Sequence, residues 1–319
     1  MAWPVSDHFN GERFFNPGGI RERGWRDLLR WKFSSRAEVW PRSVGVSPTA
    51  PPAPPAADGA IATWIGHSST LLQTRQGNFL IDPVYSERIG PVSWAGPHRV
   101  TAPGIPWSEL PAIDAVLISH DHFDHCDLPT LKQLVRRNVP LFAAPLGHKK
   151  LLSSAGAGGR TVELDWWQAH ELPGGASVAL VPALHWCRRR PGDGNRRLWG
   201  GFVVRSGNRT VYYAGDTAYS AGIFGEIRRR FGKPELALLP IGAYEPRWFM
   251  SGVHMNPAEA VRAHRGVGAQ RSAGVHWGTF HLTDEGRETP LRALDAALAE
   301  AGIPREEFFT LPPGGSVTV

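Results

Sequence analysis

An apolar run, Ala115-Val116-Leu117-Ile118, passes straight into Ser119-His120-Asp121-His122-Phe123-Asp124-His125. A strand that ends in this segment delivers imidazoles and a carboxylate to one point at a sheet edge. Such donors are borderline to hard, suited to zinc, iron or manganese. A single catalytic zinc takes three protein ligands and keeps one position open. The H-x-H-x-D-H spacing offers four candidates, His120, His122, Asp124 and His125, within six residues. That is too many for one ion, and the spacing points to two neighbouring metals with water between them.

The rest of the chain alternates strand-like and helix-like segments. Strands are expected at Ile61–Ile65, Thr70–Thr74, Phe79–Ile81, Ala112–Ser119, Val178–Val181 and Leu236–Leu239, and Phe202–Val204 and Thr210–Tyr213 flank a hairpin signature at Ser206-Gly207-Asn208. Asp127 is expected to cap a helix with Leu128, Leu131, Leu134 and Val135 on its apolar face. Asn256-Pro257 with Glu259, and Thr289-Pro290 with Gly302 beyond, mark two later helices. The pattern suggests an α/β fold with two sheets covered by helices. Residues 1–46 read as an N-terminal arm and Ser47 onward as a proline-rich connector, together residues 1–58, followed by one catalytic domain over residues 59–319. Within the arm, Ile20–Trp40 mixes arginines with Trp25, Leu28, Leu29, Trp31 and Phe33 as an amphipathic helix that either docks on the body or meets lipid.

Three further candidate ligands close predicted strands: His185, Asp216 and His276. Small residues before each leave room to hold a donor rigidly at a sheet edge. Asp82, after Phe79-Leu80-Ile81, is placed to orient a metal-bound imidazole through its second nitrogen. His67 reads as a packed histidine, and His8, His98, His148, His170, His264 and His281 as surface or core residues.

The series H-x-H-x-D-H, His185, Asp216, His276 resembles the metallo-β-lactamase-fold hydrolases. Gly66-His67-Ser68, Glu163–Trp167, His185–Arg188, Leu198–Gly200, Ala214–Thr217, Ile241–Met250 and His276–Phe280 narrow the resemblance to the N-acylphosphatidylethanolamine-hydrolysing phospholipases D and their bacterial relatives. That resemblance implies an αββα sandwich holding two zinc ions. His120, His122 and His185 would hold one, Asp124, His125 and His276 the other, with Asp216 shared. It also implies Arg189 near the mouth and His254 at the phosphate or the leaving alkoxide. Phe123 and Val253 stand where the family has tyrosine and glutamine, which removes two polar handles near the head group. Homodimers occur among relatives of this type.

The chemistry expected of such a centre is hydrolysis of a phosphodiester. Two metal ions lower the pKa of a shared water from about 15.7 to near 7 and take up phosphoryl charge. Asp124 and Asp216 are ligands first and proton acceptors second. A phospholipid is the expected substrate; lactones, sugar phosphates and nucleotide diesters are the alternatives on this scaffold. The chain carries a net charge of +6 and a pI of about 9.7, which favours anionic partners. No nucleic-acid partner is expected, since no recognition motif accompanies the charge. Two cysteines, Cys126 and Cys187, exclude a disulfide framework. The first ten residues lack a signal-peptide pattern and no apolar run suffices to span a bilayer, so a cytoplasmic enzyme, peripheral to the membrane, is expected.

Overall fold

Side chains that alternate between two apolar layers organise this chain. In the computed structural model, which describes residues 3–19 and 24–319, Ala115 and Leu117 face one hydrophobic cluster while Val116 and Ile118 face another. A strand with period two can bury both faces only when something covers each.

In chain order the elements are α1 (Trp25–Ser34), β1 (Ala60–Gly66), β2 (Ser69–Thr74), β3 (Gly77–Ile81), β4 (Ala115–Leu117), α2 (Leu128–Asn138), β5 (Leu141–Pro145), α3 (Lys149–Ser153), β6 (Thr161–Leu164), β7 (Ala169–Glu171), β8 (Ser177–Val181), β9 (Gly201–Ser206), β10 (Arg209–Tyr213), α4 (Ala221–Phe231), β11 (Leu236–Pro240), α5 (Arg247–Met250), α6 (Pro257–Val267), β12 (Arg271–Val275), α7 (Thr289–Ala301), β13 (Phe308–Thr310) and β14 (Ser316–Thr318). They form two seven-stranded mixed sheets, ordered β14-β1-β2-β3-β4-β5-β6 and β13-β12-β11-β10-β9-β8-β7. Leu72, Phe79, Ile81 and Leu117 of the first sheet share a core with Leu180, Phe202, Val204 and Tyr213 of the second. Leu131, Leu134 and Leu152 carry α2 and α3 onto the outer face of the first sheet. Phe224, Val261 and Leu294 bring α4, α6 and α7 into the large core that includes the second. The architecture is the αββα sandwich.

β3 to β6 run parallel in the first sheet, and β10 to β13 in the second. The antiparallel pairs β1/β2, β2/β3, β8/β9 and β9/β10 bring the ends of β1 and β8 to the same sides as those of β3 and β10. The connections leaving β1, β3, β4, β8, β10, β11 and β12 therefore gather at the carboxyl edge, the usual place for a site in an open α/β sheet.

Several local expectations need correction. The strand over Ala112–Ser119 contracts to Ala115–Leu117, because Asp114 and Ser119 are engaged in loop hydrogen bonds. Asp127 occupies the N-cap of α2, but its carboxylate turns back to accept from the Tyr85 and Ser86 amides and the Ser86 and Thr130 hydroxyls. Glu288, not Thr289, is the N-cap of α7; the Thr289 hydroxyl donates to Glu38 instead. Asn256 caps α6 as expected, in a capping box with Glu259.

The N-terminal arm packs on this body. Phe9 and Phe14 are buried in the large core. His8, expected to lack a role, stacks on Trp166 at 4.4 Å and bonds Asp165 at 2.7 Å. Ile20 to Arg23, the head of the expected amphipathic helix, lie outside the described residues; of the rest, Trp25–Ser34 form α1 and residues 35–40 are not helical. Trp31 of α1 docks on Phe249 at 4.9 Å and donates to Asp284. Trp25, Leu28, Leu29 and Phe33 line the other side of α1 and are exposed. Among the described residues no helix is long and apolar enough to cross a membrane.

Candidate metal centre

Each side chain of the expected ligand set leaves the carboxyl end of a strand. His120, His122, Asp124 and His125 follow β4; His185 follows β8; Asp216 follows β10; His276 follows β12. Close backbone approach makes this possible. A Cβ on Gly215, at φ 62°, would lie 2.7 Å from the Gly200 carbonyl, and one on Gly242 would lie 2.1 Å from that of His276. His67, Asp82 and His276 adopt positive φ of 54°, 40° and 62°, conformations that cost non-glycine residues about 1–3 kcal/mol and cluster at functional sites.

The seven side chains converge. His122 Nδ1 lies 3.0 Å from His120 Nε2 and 3.2 Å from His185 Nε2. Asp124 Oδ2 lies 3.4 Å from His276 Nε2 and 3.6 Å from His125 Nε2. Asp216 sits between the two groups. Its Oδ2 is 3.1 Å from His276, 3.2 Å from His125, and 3.9 Å from both His120 and His185. Two groups of donors therefore stand side by side with one carboxylate reaching toward both, and each group's ligand atoms lie within 4.8 Å of one another.

Three of the five imidazoles have the other ring nitrogen tied down. His125 Nδ1 donates to Asp82 at 2.7 Å, His185 Nδ1 to the Val253 carbonyl at 3.1 Å, and His120 Nδ1 pairs with the Ser119 hydroxyl at 2.9 Å. Fixing one nitrogen fixes the tautomer and aims the other inward. Asp82 is itself held by the Ser119 amide and hydroxyl and by Tyr213 at 2.6 Å. His185 is further braced by the arm, since Asn16 donates to its carbonyl at 2.8 Å.

Charge in the centre follows from burial opposed by neighbours. Desolvation keeps His120 and His185 well below 6.5 and lowers His122, so all three favour the neutral form that ligates metal. Burial would also lower His125 and His276, yet Asp216 and Asp124 overcome it, lifting His276 to about 9 and His125 well above its usual value. Conversely, burial would raise the two aspartates, and the imidazoles beside them hold both well below the usual carboxylate range. Two buried carboxylates thus demand positive charge at their centre. The His125 and His276 Nε2 atoms and Asp216 Oδ1 are buried with no hydrogen-bond partner, a costly arrangement for polar groups unless a cation takes them up. The donor set fits two divalent metals.

The expected substrate residues lie around this centre in different ways. His254 places Nδ1 4.0 Å from Asp216 Oδ2, and burial pulls it down to about 4. Arg189 stacks over Phe123 at 4.0 Å and donates to the carbonyls of Asp121 and Cys126 at 2.7 and 2.8 Å, so it also clamps the loop that carries the ligands. Val253 contributes its carbonyl, through His185. Asp121, inside the motif, points away to Arg197 at 2.6 Å. Cys126 and Cys187 are buried with raised thiol pKa, that of Cys126 about 12; they are inert packing residues. Trp166 is core and donates to the Trp199 carbonyl. The structure adds one residue to the centre. His67, expected merely to pack, joins Asp124, His125 and His276 with Nε2 3.0 Å from Asp124 Oδ2. Its place at the end of β1, like that of His276 after β12, was the available signal.

A beta-lactamase superfamily domain matches residues 77–277. The chain belongs to this superfamily. It is 39% identical over 232 residues to N-acyl-phosphatidylethanolamine-hydrolyzing phospholipase D 1 of Caenorhabditis elegans, covering 70% of this chain and 65% of that protein. It is 36% identical over 245 residues to the mitochondrial N-acyl-phosphatidylethanolamine-hydrolyzing phospholipase D of Saccharomyces cerevisiae, covering 75% of this chain and 52% of that one. The chain thus spans less than two thirds of these relatives' length. Among solved structures, an isothiocyanate hydrolase from Delia radicum gut bacteria superposes with a TM-score of 0.63 at 21% identity, over 81% of this chain and 98% of that one. At that identity the likeness concerns the fold alone, the superfamily's αββα sandwich.

Proposed function

We propose that the chain is a dinuclear metal phosphodiesterase of phospholipase D type, which hydrolyses N-acylphosphatidylethanolamine to N-acylethanolamine and phosphatidic acid. The observation that carries this reading is the pair of adjoining donor groups around Asp216. The names of the two phospholipase D relatives supply the substrate class.

His120, His122 and His185 would hold one ion and Asp124, His125 and His276 the other, with Asp216 shared between them. Zinc suits this nitrogen and oxygen set, and iron or manganese would also. Such a pair, when bound, acidifies water and neutralises phosphoryl charge. The side chains do the rest. Asp82, Ser119 and Val253 fix the imidazoles, so that no reorganisation is needed during reaction. Asp124 and Asp216 provide the acceptor oxygens to which the attacking water's proton can move. His254, neutral and with no partner at Nδ1, is placed to bind the phosphoryl oxygens, or to relay to the departing alkoxide a proton that it takes up at Nδ1 from Asp216, 4.0 Å away. Arg189 and Phe123 form one wall near the ligand loop, where the guanidinium favours an anionic head group, and Val253 holds His185 through its carbonyl.

The exposed stripe on α1 suits a membrane surface. Trp25 and Phe33 are 68% and 87% exposed, Arg26 and Lys32 flank them, and the opposite side is anchored to α5 near His254. We place the protein in the cytoplasm, peripheral to the inner face of the membrane. A homodimer is compatible with this arrangement.

The test is product analysis. Metal-loaded protein is incubated with N-acylated and ordinary phospholipid vesicles and the products are read by mass spectrometry. N-acylethanolamine and phosphatidic acid are expected. Turnover of a lactone, sugar phosphate or nucleotide diester with no lipid cleavage would overturn the substrate assignment.

A further inference from the structure

His67 stands apart from the seven residues above, yet the chain invests heavily in placing it. Its backbone lies at φ 54°. Its amide donates to the Thr279 hydroxyl at 2.8 Å, and its carbonyl accepts from the His276 amide at 2.9 Å and the Trp64 indole at 2.7 Å. The ring packs 4.1 Å from that of His276 and edge-on to Phe280 at 5.3 Å. A merely packed histidine needs neither a strained backbone nor three backbone hydrogen bonds.

The ring points at one atom. His67 Nε2 is 3.0 Å from Asp124 Oδ2, whereas His120, His125, His185 and His276 all bring Nε2 within 4.0 Å of Asp216. His67 makes no such approach among the described contacts. Its Nδ1 is buried with no hydrogen-bond partner, so a proton there would be an orphaned donor, the costlier of the two tautomers. On Nε2 the same proton has Asp124 to receive it.

We propose that His67 is a positioning residue of the metal centre: its Nε2–H donates to Asp124 Oδ2 and sets the rotation at which that carboxylate meets the second metal. The role differs from that of Asp82, which orients an imidazole. It rests on the metal-centre reading, in which Asp124 is a ligand.

The experiment is zinc titration against a chromophoric chelator for the wild-type chain, His67→Phe and His67→Gln, with folding checked by circular dichroism. Phe keeps the packing on His276 and Phe280 without a donor, and Gln restores an N–H near the depth of Nε2. His67→Phe should weaken one of the two ions by about 10–100-fold, leave the other unchanged, and be largely rescued in His67→Gln. Unaltered binding of both ions in His67→Phe would overturn the proposal. So would a loss in His67→Gln as deep as in His67→Phe, which would make His67 itself a ligand or a packing residue. Wild-type protein that takes up no zinc would instead remove the metal-centre reading, and this proposal with it. Should His67→Phe fail to fold, imidazole 15N spectra of the zinc-loaded wild type give the same decision. A proton on His67 Nε2 is expected; a bare, metal-shifted Nε2 would refute the role.

Discussion

Replacing Asp82 with asparagine tests how far the fold preorganises the centre. Asp82 is fully buried and accepts four hydrogen bonds, from the Ser119 amide at one oxygen and from the Ser119 hydroxyl, Tyr213 and His125 at the other. An amide offers one oxygen and one donor group. In its better orientation the oxygen keeps the three partners of Oδ2, and the new NH2 faces the Ser119 N–H. One buried donor pair is then unsatisfied, costing about 1–3 kcal/mol. With an unfolding entropy of about 2.1 cal/mol/K per residue over 319 residues, the metal-free protein should melt about 1.5–4.5 °C lower. The metal effect is separate. The His125 Nδ1–H bond weakens as its acceptor changes from carboxylate to amide, and loss of such a partner typically costs about 10–100-fold in metal affinity. Thermal scans in chelator read the first quantity, and zinc competition the second. An Asp82→Asn variant that melts normally and binds both ions like wild type would refute the claim that this hydrogen-bond cluster aims His125.

Other outcomes follow from the same geometry. His122→Ala removes a donor shared by the first group, and should cost turnover at least about 100-fold, no less than loss of a ligand's supporting partner, while circular dichroism stays native; residual full activity would contradict it. Because His276 holds its proton up to about pH 9 in the metal-free chain, an ion in the second group must displace it. Zinc affinity there should rise with pH below that value, with proton release on binding visible in calorimetry, while the first group shows a flatter dependence. At His8, burial is outweighed by Asp165 and Asp7, which raise its pKa above 6.5. Its contribution to stability is therefore complete below that value and lost as pH rises through the raised one, so proteolysis of the arm should accelerate on the alkaline side, and His8→Ala should abolish that dependence. Trp25→Ser and Phe33→Ser should each weaken binding to anionic vesicles by roughly 10–150-fold, since a buried aromatic contributes about 1.5–3 kcal/mol; unchanged binding would rule out α1 as the contact.

The centre was legible because its ligands close strands and carry their own chemistry. His120 to His125 announce themselves by spacing alone, and Asp216 and His276 by their place after β-rich, small-residue segments. Asp82 could be named because it too follows a strand. His67 was harder: a lone histidine after Gly66 looks the same whether it packs or bonds, and only the long-range meeting of β1 with the loop after β4 distinguishes them. Strands with strong aliphatic runs, such as Leu236–Leu239, could be read directly. β13 and β14 could not, because three-residue edge strands take their identity from pairing with β12 and β1 rather than from periodicity. The arm was legible only in outline. Its composition suits docking on the body as well as contact with lipid, while His8 and Asn16 bond parts of the chain more than 150 residues away, and no local pattern records such contacts. Asp127 is the N-cap residue of α2 as expected, but its carboxylate is drawn to the Tyr85–Ser86 loop, and the Thr289 hydroxyl, drawn to Glu38, leaves the α7 cap to Glu288.

The most direct test of the account is a count of metal in the active protein. Inductively coupled plasma mass spectrometry on purified chain, with activity measured on the same sample before and after exhaustive chelation, should give close to two transition-metal ions per chain and lose turnover as they are withdrawn. Hydrolysis that persists in protein shown to be metal-free would contradict the account at its centre.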